Sequence, residues 1–147
     1  MAFGDILQNQ YLWVPISIWL LIQVWKFICD IIANKRINLR RLLGAGGMPS
    51  SHSAVVTSLA TLIGFYEGLD SPMFAFSVIF ALVVMYDAAG VRRAAGKQAR
   101  ILNQILNTKN MAGIAVQEKL IELLGHTPFE VFIGAIVGIC YALFIVI

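Results

Sequence analysis

Four apolar segments, each about as long as a bilayer is thick, dominate this sequence of 147 residues. A helix needs about 20 mostly apolar residues to cross the hydrocarbon core of a membrane. The segments lie at about 11–33, 51–66, 72–89 and 128–147. A chain this short could not bury so much apolar surface in one soluble core. The pattern therefore predicts an all-α integral membrane protein with about four transmembrane helices, forming a single domain over residues 1–147.

The composition points the same way, because 59% of the residues are hydrophobic and only 13% are charged. Soluble domains are typically about half apolar and about a quarter charged. The basic residues adjoin apolar segments, and this placement favours anionic lipid headgroups over nucleic acid as a partner. Cys29 and Cys140 both lie within apolar segments, so we expect them to be buried, reduced and inert.

Two polar stretches, 34–50 and 90–126, contain ten of the eleven Lys and Arg residues. With four spans, both stretches lie on the same side of the membrane, and the positive-inside rule makes that side cytoplasmic. In the second stretch Val91, Ile101 and Ile105 recur at near-helical spacing, which is typical of an amphipathic helical segment lying on the membrane surface. We expect a multi-pass cell-membrane protein whose polar side faces the cytoplasm.

Lys26 is the one basic residue outside these two stretches. It lies within the first apolar segment, four residues before Asp30 and therefore on the same helical face. An ion pair between the two side chains, or extension of Lys26 towards the membrane interface, accounts for its position without a functional role.

The two histidines, His52 and His126, each lie at the start of an apolar segment on the polar side. The glycine-rich residues 44–51 precede His52 and lead into a helix N-terminus, which favours an anion; an ordinary capped helix is the alternative. Glu130 follows His126 by four residues. It can complete a capping box with Thr127, or it can orient the imidazole and leave the other ring nitrogen as nucleophile or base.

Asp87, Arg92 and Arg93 occur where the third apolar segment meets the membrane surface. An ionisable residue at such a position is a functional candidate, and the two arginines can bind a phosphate bidentately. Extension of the arginines to lipid headgroups is the alternative. A metal site built from His52, His126, Asp87 and Glu130 has suitable ligand types but no recognisable ligand spacing.

Two motifs carry a family resemblance. Residues 49–52, Pro-Ser-Ser-His, resemble the Pro-Ser-Gly-His motif of the type 2 phosphatidic acid phosphatase and vanadium haloperoxidase superfamily. Residues 126–131, His-Thr-Pro-Phe-Glu-Val, are similar to that superfamily's closing motif, His-Tyr-Pro-Ser-Asp-Val, which a Gly-Ala-rich helix follows. With the string Asp-Ala-Ala-Gly-Val-Arg-Arg at 87–93, the chain most resembles the divergent bacterial and plant branch of the superfamily, over roughly residues 35–138.

The resemblance implies a metal-independent lipid phosphate phosphatase that cleaves a phosphomonoester or diphosphate through a phosphohistidine intermediate, without a cofactor. It implies that His126 is the nucleophile, that Glu130 orients it and that His52 protonates the leaving oxygen. The implied phosphate-binding residues are Lys35, Arg41, Ser50, Ser51, Arg92 and Arg93. Asp87 is an additional candidate whose role is open, because the main superfamily motifs give it no counterpart.

The same resemblance leaves a second function open, a non-catalytic binder or transporter of phosphorylated lipids. Ser51 stands where the superfamily has glycine, and Glu130 stands where it has aspartate, and these departures motivate that alternative. Four spans are also fewer than the six that are usual in the superfamily, which suggests a homodimer that completes the helical shell.

Overall fold

The computed structural model describes residues 6, 8–35, 37, 47–108 and 125–147. Five α-helices follow one another in this part of the chain: α1 (Gln10–Asn34), α2 (Ser51–Glu67), α3 (Pro72–Ala89), α4 (Val91–Thr108) and α5 (Pro128–Val146). No strand occurs among the described residues. The predicted all-α class is confirmed.

Polar caps and prolines determine where three of the helices begin. Ser50, Ser71 and Thr127 each accept a hydrogen bond from the backbone N–H three residues further on. Such caps satisfy a donor that has no partner inside the helix. In α3 and α5 the next residue is Pro72 or Pro128, and proline suits the first helical position because an N–H is not needed there.

Among the described residues, three helical stretches are long and apolar enough to cross a membrane: Gln10–Asn34, Pro72–Ile105 and Pro128–Val146. The second of them comprises α3 and most of α4. Helix α2 has 17 residues and is therefore about 26 Å long, somewhat shorter than the ~30 Å hydrocarbon core. A fourth span formed by α2 stays a prediction.

Helix α2 lies at the centre of the bundle, where it packs against α1, α3 and α5. Its contact with α5 is close because α5 carries glycines four residues apart. A Cβ atom at Gly134 would lie 3.0 Å from the Cβ of Ser50, and one at Gly138 would lie 2.8 Å from the Cα of Ala54. Small residues at these two positions allow the helix backbones to approach each other, as the spacing of the glycines predicts.

Two backbone hydrogen bonds join the polar ends of the helices. Ser50, before α2, donates its N–H to the carbonyl of Glu130 in α5, over 3.1 Å. His126, before α5, donates its N–H to the carbonyl of Ala88 in α3, over 2.9 Å. The starts of α2 and α5 and the end of α3 therefore meet at one end of the bundle.

The amphipathic segment forms a helix, α4, over the first half of the second polar stretch. Its apolar residues Val91, Ile101 and Ile105 are exposed, whereas Ala99 and Asn103 on another face are buried. The apolar face thus points away from the described remainder of the protein, as expected of a helix that contacts lipid.

The expected burial of the cysteines is wrong, because Cys29 and Cys140 are both exposed, although both are free. In a soluble protein an apolar neighbourhood usually marks the core. In a membrane helix it marks the lipid-facing surface equally well, because lipid tails are as apolar as leucine side chains.

Candidate active site

His126 and Glu130 form a hydrogen-bonded pair at the start of α5. The His126 side chain is 2% exposed, and its Nδ1 lies 3.1 Å from Oε2 of Glu130. The same Oε2 accepts the backbone N–H of Thr127 over 3.1 Å, and the N–H of Glu130 donates to Oγ1 of Thr127 over 3.3 Å. Glu130 therefore completes a capping box and orients the imidazole at the same time, so the two interpretations of its spacing are compatible.

The other ring nitrogen of His126, Nε2, does not take part in this pair. Within the described residues Nε2 is buried and has no hydrogen-bond partner. Buried polar atoms without partners are uncommon in folded proteins, and a catalytic role is one of the explanations for them. When Nδ1 carries the proton and donates it to Glu130, Nε2 holds the lone pair, which suits a nucleophile or a general base.

Burial determines the protonation state of His126. It lowers the pKa of His126 below the usual histidine value, because desolvation disfavours the charged imidazolium. The hydrogen bond to Glu130 opposes this shift, whereas the positive charges of Lys26 and Arg92 add to it. The imidazole is therefore neutral at neutral pH, the form in which Nε2 can attack.

His52 lies beside His126, in the first turn of α2. The centroids of the two rings are 6.1 Å apart, in an edge-on arrangement. His52 Nδ1 is also buried without a hydrogen-bond partner in the part of the chain that the structure describes. The rings are thus close enough to contact the same small ligand, and each has a nitrogen available for it.

Three serines next to His52, at the N-terminus of α2, are buried. Ser50 and Ser53 are fully buried, and Ser51 is 5% exposed. The Oγ of Ser50 accepts the hydroxyl of Ser53 over 3.0 Å and the backbone N–H of Ser53 over 3.4 Å. Ser50 therefore caps α2, and the positive end of this helix dipole lies at the histidine pair, where it favours an anion.

Among the described arginines, Arg92 is the one whose charge acts on both histidines. Its Nε donates to Oδ2 of Asp87 over 2.7 Å, and both side chains are a little under half exposed. The geometry gives Asp87 a structural task, to hold the guanidinium near the histidines. Arg93 is exposed, and unlike Arg92 it is not among the charges that act on the two histidines.

Gly125 positions His126 against the start of α4. Its φ is +93°, and a Cβ atom there would lie 2.7 Å from the carbonyl carbon of Arg92. Only glycine adopts this conformation easily and allows such a close backbone approach. The residue before the histidine is thus part of what brings His126 and Arg92 together.

Lys26 is a site residue that the sequence analysis missed. It is 4% exposed, and its charge acts on His52 and on His126. It lines a cavity of about 230 Å³ together with Asp30 and Met48. The available signal was its position inside an apolar segment, where an ionisable residue is by default a candidate for function.

Arg41 lies outside the described residues. Lys35 is described, but the structure does not bring it to the histidines. Lys35 ends α1 in a left-handed conformation, with φ of +51°, and its side chain is exposed. It follows Lys26 by nine residues, or about 13 Å along a helix. The phosphate-binding roles of Lys35 and Arg41 stay predictions.

The described residues contain no group of three or more His, Cys, Asp or Glu side chains that could hold a metal ion. His52, His126, Asp87 and Glu130 do not converge on one point. Asp87 faces Arg92 and Glu130 faces the imidazole of His126.

Comparison with known proteins identifies the family. The model of the divergent PAP2 family matches residues 7–141, a range that includes both histidine motifs. A bacterial relative, the uncharacterized membrane protein YuiD of Bacillus subtilis (strain 168), is 40% identical over 150 residues, with 95% of each chain covered. No solved structure matches the chain significantly. The resemblance carried by the two histidine motifs is confirmed, and this membrane protein belongs to the divergent PAP2 family.

Proposed function

We propose that this protein is a metal-independent phosphatase that hydrolyses phosphorylated lipids through a phosphohistidine intermediate. The observation that carries the proposal is the state of His126. Glu130 fixes its Nδ1, while its buried Nε2 has no hydrogen-bond partner among the described residues and lies beside a second histidine. Membership of the divergent PAP2 family supports phosphate chemistry, and the apolar helices support a substrate that resides in the membrane.

In the first step, the lone pair of His126 Nε2 attacks the phosphorus atom of the lipid phosphate. A P–N bond forms and the bond between phosphorus and the lipid oxygen breaks, with its electron pair remaining on that oxygen. Protonated His52 gives its proton to the oxygen, so that the lipid leaves as a neutral alcohol, or as a monophosphate when the substrate is a diphosphate. Proton transfer of this kind by a positioned side chain contributes about 10²- to 10⁴-fold to a rate.

In the second step, a water molecule attacks the phosphorus of the phosphohistidine. His52, now neutral, accepts a proton from the water. The P–N bond breaks, its electron pair returns to Nε2, and inorganic phosphate leaves. Both histidines are then restored to their starting states, and the sum of the two steps is hydrolysis of one phosphate bond.

Positive charge close to the histidines stabilises the transferring phosphoryl group. Its equatorial oxygens carry most of the charge in the transition state, so positioning and electrostatics contribute most of the catalysis. Arg92, held by Asp87, and the buried Lys26 supply positive charge, and the N-terminus of α2 adds its dipole. By the positive-inside rule, this site would act on headgroups at the cytoplasmic face.

Phosphate release from phosphatidic acid by the purified protein in detergent micelles tests the proposal. We expect His126→Ala to lower the rate by several orders of magnitude, and chelators to leave the wild-type rate unchanged. Cys140→Ala, on the exposed surface of α5, serves as the matched control and retains the wild-type rate. A wild-type rate in His126→Ala would exclude the mechanism.

The same preparation distinguishes a phosphatase from the second function, a non-catalytic binder or transporter of phosphorylated lipids. Saturable binding of phosphatidic acid with no release of phosphate, at any pH and with any divalent metal added, would identify a binder or transporter in place of an enzyme.

A further inference from the structure

An apolar groove of about 370 Å³ lies between α1 and α5. Leu21 and Trp25 line it on α1, Ile133 and Val137 line it on α5, and Met48 lies at its polar end. Every residue that lines the groove is apolar. Leu21 and Trp25 are both more than half exposed, so the groove opens sideways towards the surrounding lipid.

The groove adjoins the cavity that Lys26 lines. Met48 lines both of them. On α1, Ile22 of the groove and Lys26 of the cavity lie four residues apart, which places them on one face about one helical turn from each other. Pro49, which also lines the groove, directly precedes the buried cap Ser50. The apolar groove therefore leads to Lys26, whose charge acts on both histidines.

We propose that this groove binds the hydrocarbon chain of the phosphorylated lipid whose headgroup is held at the histidine pair. The identity of the headgroup rests on the proposed function. An apolar tail suits the groove, and an anionic head suits the histidine pair, on which the positive charges of Lys26 and Arg92 act. The lipid reaches the site laterally from the bilayer, between α1 and α5, and its tail remains in contact with the bilayer while its phosphate reacts.

A second apolar crevice provides an internal comparison. It has a volume of about 220 Å³ and lies between α2, α3 and α5, where Leu82 and Met85 are among its lining residues. It shares no lining residue with the Lys26 cavity. Bulk lipid can fill this crevice without any relation to the histidines, so it is not a chain-binding site in the proposal.

Three leucines allow a matched test of the groove. Leu21 lines it and is 53% exposed; Leu20 is adjacent on α1 but does not line it and is 51% exposed; Leu82 lines the second crevice and is 53% exposed. Each is replaced by tryptophan, and kcat/KM is measured for dioleoyl and for dihexanoyl phosphatidic acid. We expect Leu21→Trp to lower the ratio of the long-chain to the short-chain value about tenfold, as steric exclusion from an apolar pocket does.

The control variants Leu20→Trp and Leu82→Trp should keep the wild-type ratio. Undiminished turnover of the short-chain lipid by Leu21→Trp would show that this variant is folded and that its site is intact. A lowered ratio in Leu82→Trp alone would mean that the hydrocarbon chain of the lipid binds in the second crevice, and it would overturn the proposal. An unchanged ratio in all three variants would overturn it as well.

Trp25 gives a second readout that does not depend on turnover. In the Trp13→Phe, Trp19→Phe protein, Trp25 is the only tryptophan left of three, and His126→Asn is added so that lipid is not consumed. Vesicles contain either phosphatidic acid or phosphatidylcholine with brominated chains, at equal mole fraction. We expect stronger quenching of Trp25 fluorescence by the phosphatidic acid.

Equal quenching by the two lipids would mean that only bulk lipid fills the groove, and the proposal would fail. If no variant and no wild-type preparation releases phosphate, while phosphatidic acid still quenches Trp25 preferentially, the proposed phosphatase function fails and the groove remains a binding site for the lipid chain. The two proposals can therefore be rejected separately.

Discussion

At the scale of single residues, Glu130 and Lys26 show what spacing can and cannot predict. Glu130 follows Thr127 by three residues and His126 by four, and both spacings bring side chains together at a helix start. These contacts are local, so the sequence predicts them. Lys26 also has a local explanation, four residues before Asp30. Its burial near the histidines depends on how α1 packs against α2, which no local pattern specifies.

Replacing Glu130 tests its two effects on His126, which are the orientation of the imidazole and the shift of its pKa. Glu130 raises the pKa of His126 through its hydrogen bond and its charge, so Glu130→Gln should lower that pKa further. The acid limb of the pH profile of kcat/KM reports His126 losing its proton, and it should therefore move to lower pH. The rate at the optimum should fall roughly 10²- to 10⁴-fold, because the imidazole is no longer held in the reactive tautomer.

In the wild-type protein the profile should be bell-shaped, since His126 must be neutral and His52 protonated. The acid limb should lie below pH ~6.5, the usual histidine value, because burial lowers the pKa of His126. A flat profile between about pH 5 and pH 9 would contradict both histidine assignments. A shift of the acid limb to higher pH in Glu130→Gln would contradict the role of the carboxylate.

Two lysines test whether the structure or the family resemblance better identifies the residues that bind the phosphate. Lys26 is buried near the histidines, whereas Lys35 is exposed about 13 Å further along α1. Lys26→Met should lower kcat/KM roughly 10²-fold, the cost of removing one charge-stabilising donor, and Lys35→Met should cost less. Initial rates with dihexanoyl phosphatidic acid measure both. A larger loss for Lys35→Met would contradict the geometry.

At the scale of helices, the sequence predicts the starts of α3 and α5 and a close helix contact of α5, but it does not predict that α2 is the partner in this contact. Capping residues followed by proline mark the starts, and glycines four residues apart mark the contact. Which apolar residues face protein and which face lipid does not follow from hydropathy, because both environments are apolar. The exposed Cys29 and Cys140 illustrate this.

The contact between α2 and α5 should be sensitive to a single methyl group. In Gly138→Ala the new Cβ would lie 2.8 Å from the Cα of Ala54, and overpacking of this kind typically costs about 1–3 kcal/mol. Thermal unfolding in detergent, followed by circular dichroism, should show a lower midpoint than the wild type. Ile136→Ala on the exposed side of the same helix is the control and should change the midpoint less. Equal midpoints for Gly138→Ala and the wild type would mean that the helices are not in close contact there.

At the scale of the whole molecule, the starts of α2 and α5 meet the end of α3, and this brings the two histidine motifs to one end of the bundle. A four-span interpretation of the sequence makes the same prediction, because both polar stretches then lie on one side. The sequence could not predict which basic residues converge on the histidines. That choice depends on the close approach of Gly125 to the backbone of Arg92 and on the ion pair of Arg92 with Asp87.

Membrane orientation can be tested with single cysteines in the Cys29→Ala, Cys140→Ala background. Ile37 and Asp70 are both exposed and lie at opposite ends of the helices. By the positive-inside rule, Asp70→Cys should react with a membrane-impermeant maleimide in intact cells, and Ile37→Cys should react only after permeabilisation. The reverse pattern would put the site on the outer face.

The most direct test of the central claim is to trap the phosphoenzyme. Phosphatidic acid labelled with ³²P is mixed with the purified protein, and the reaction is stopped within milliseconds by alkaline detergent, which preserves a P–N bond. The account predicts an alkali-stable, acid-labile label on the peptide that contains His126, and no label in His126→Ala. A label that persists in His126→Ala, or that maps to another residue, would contradict it.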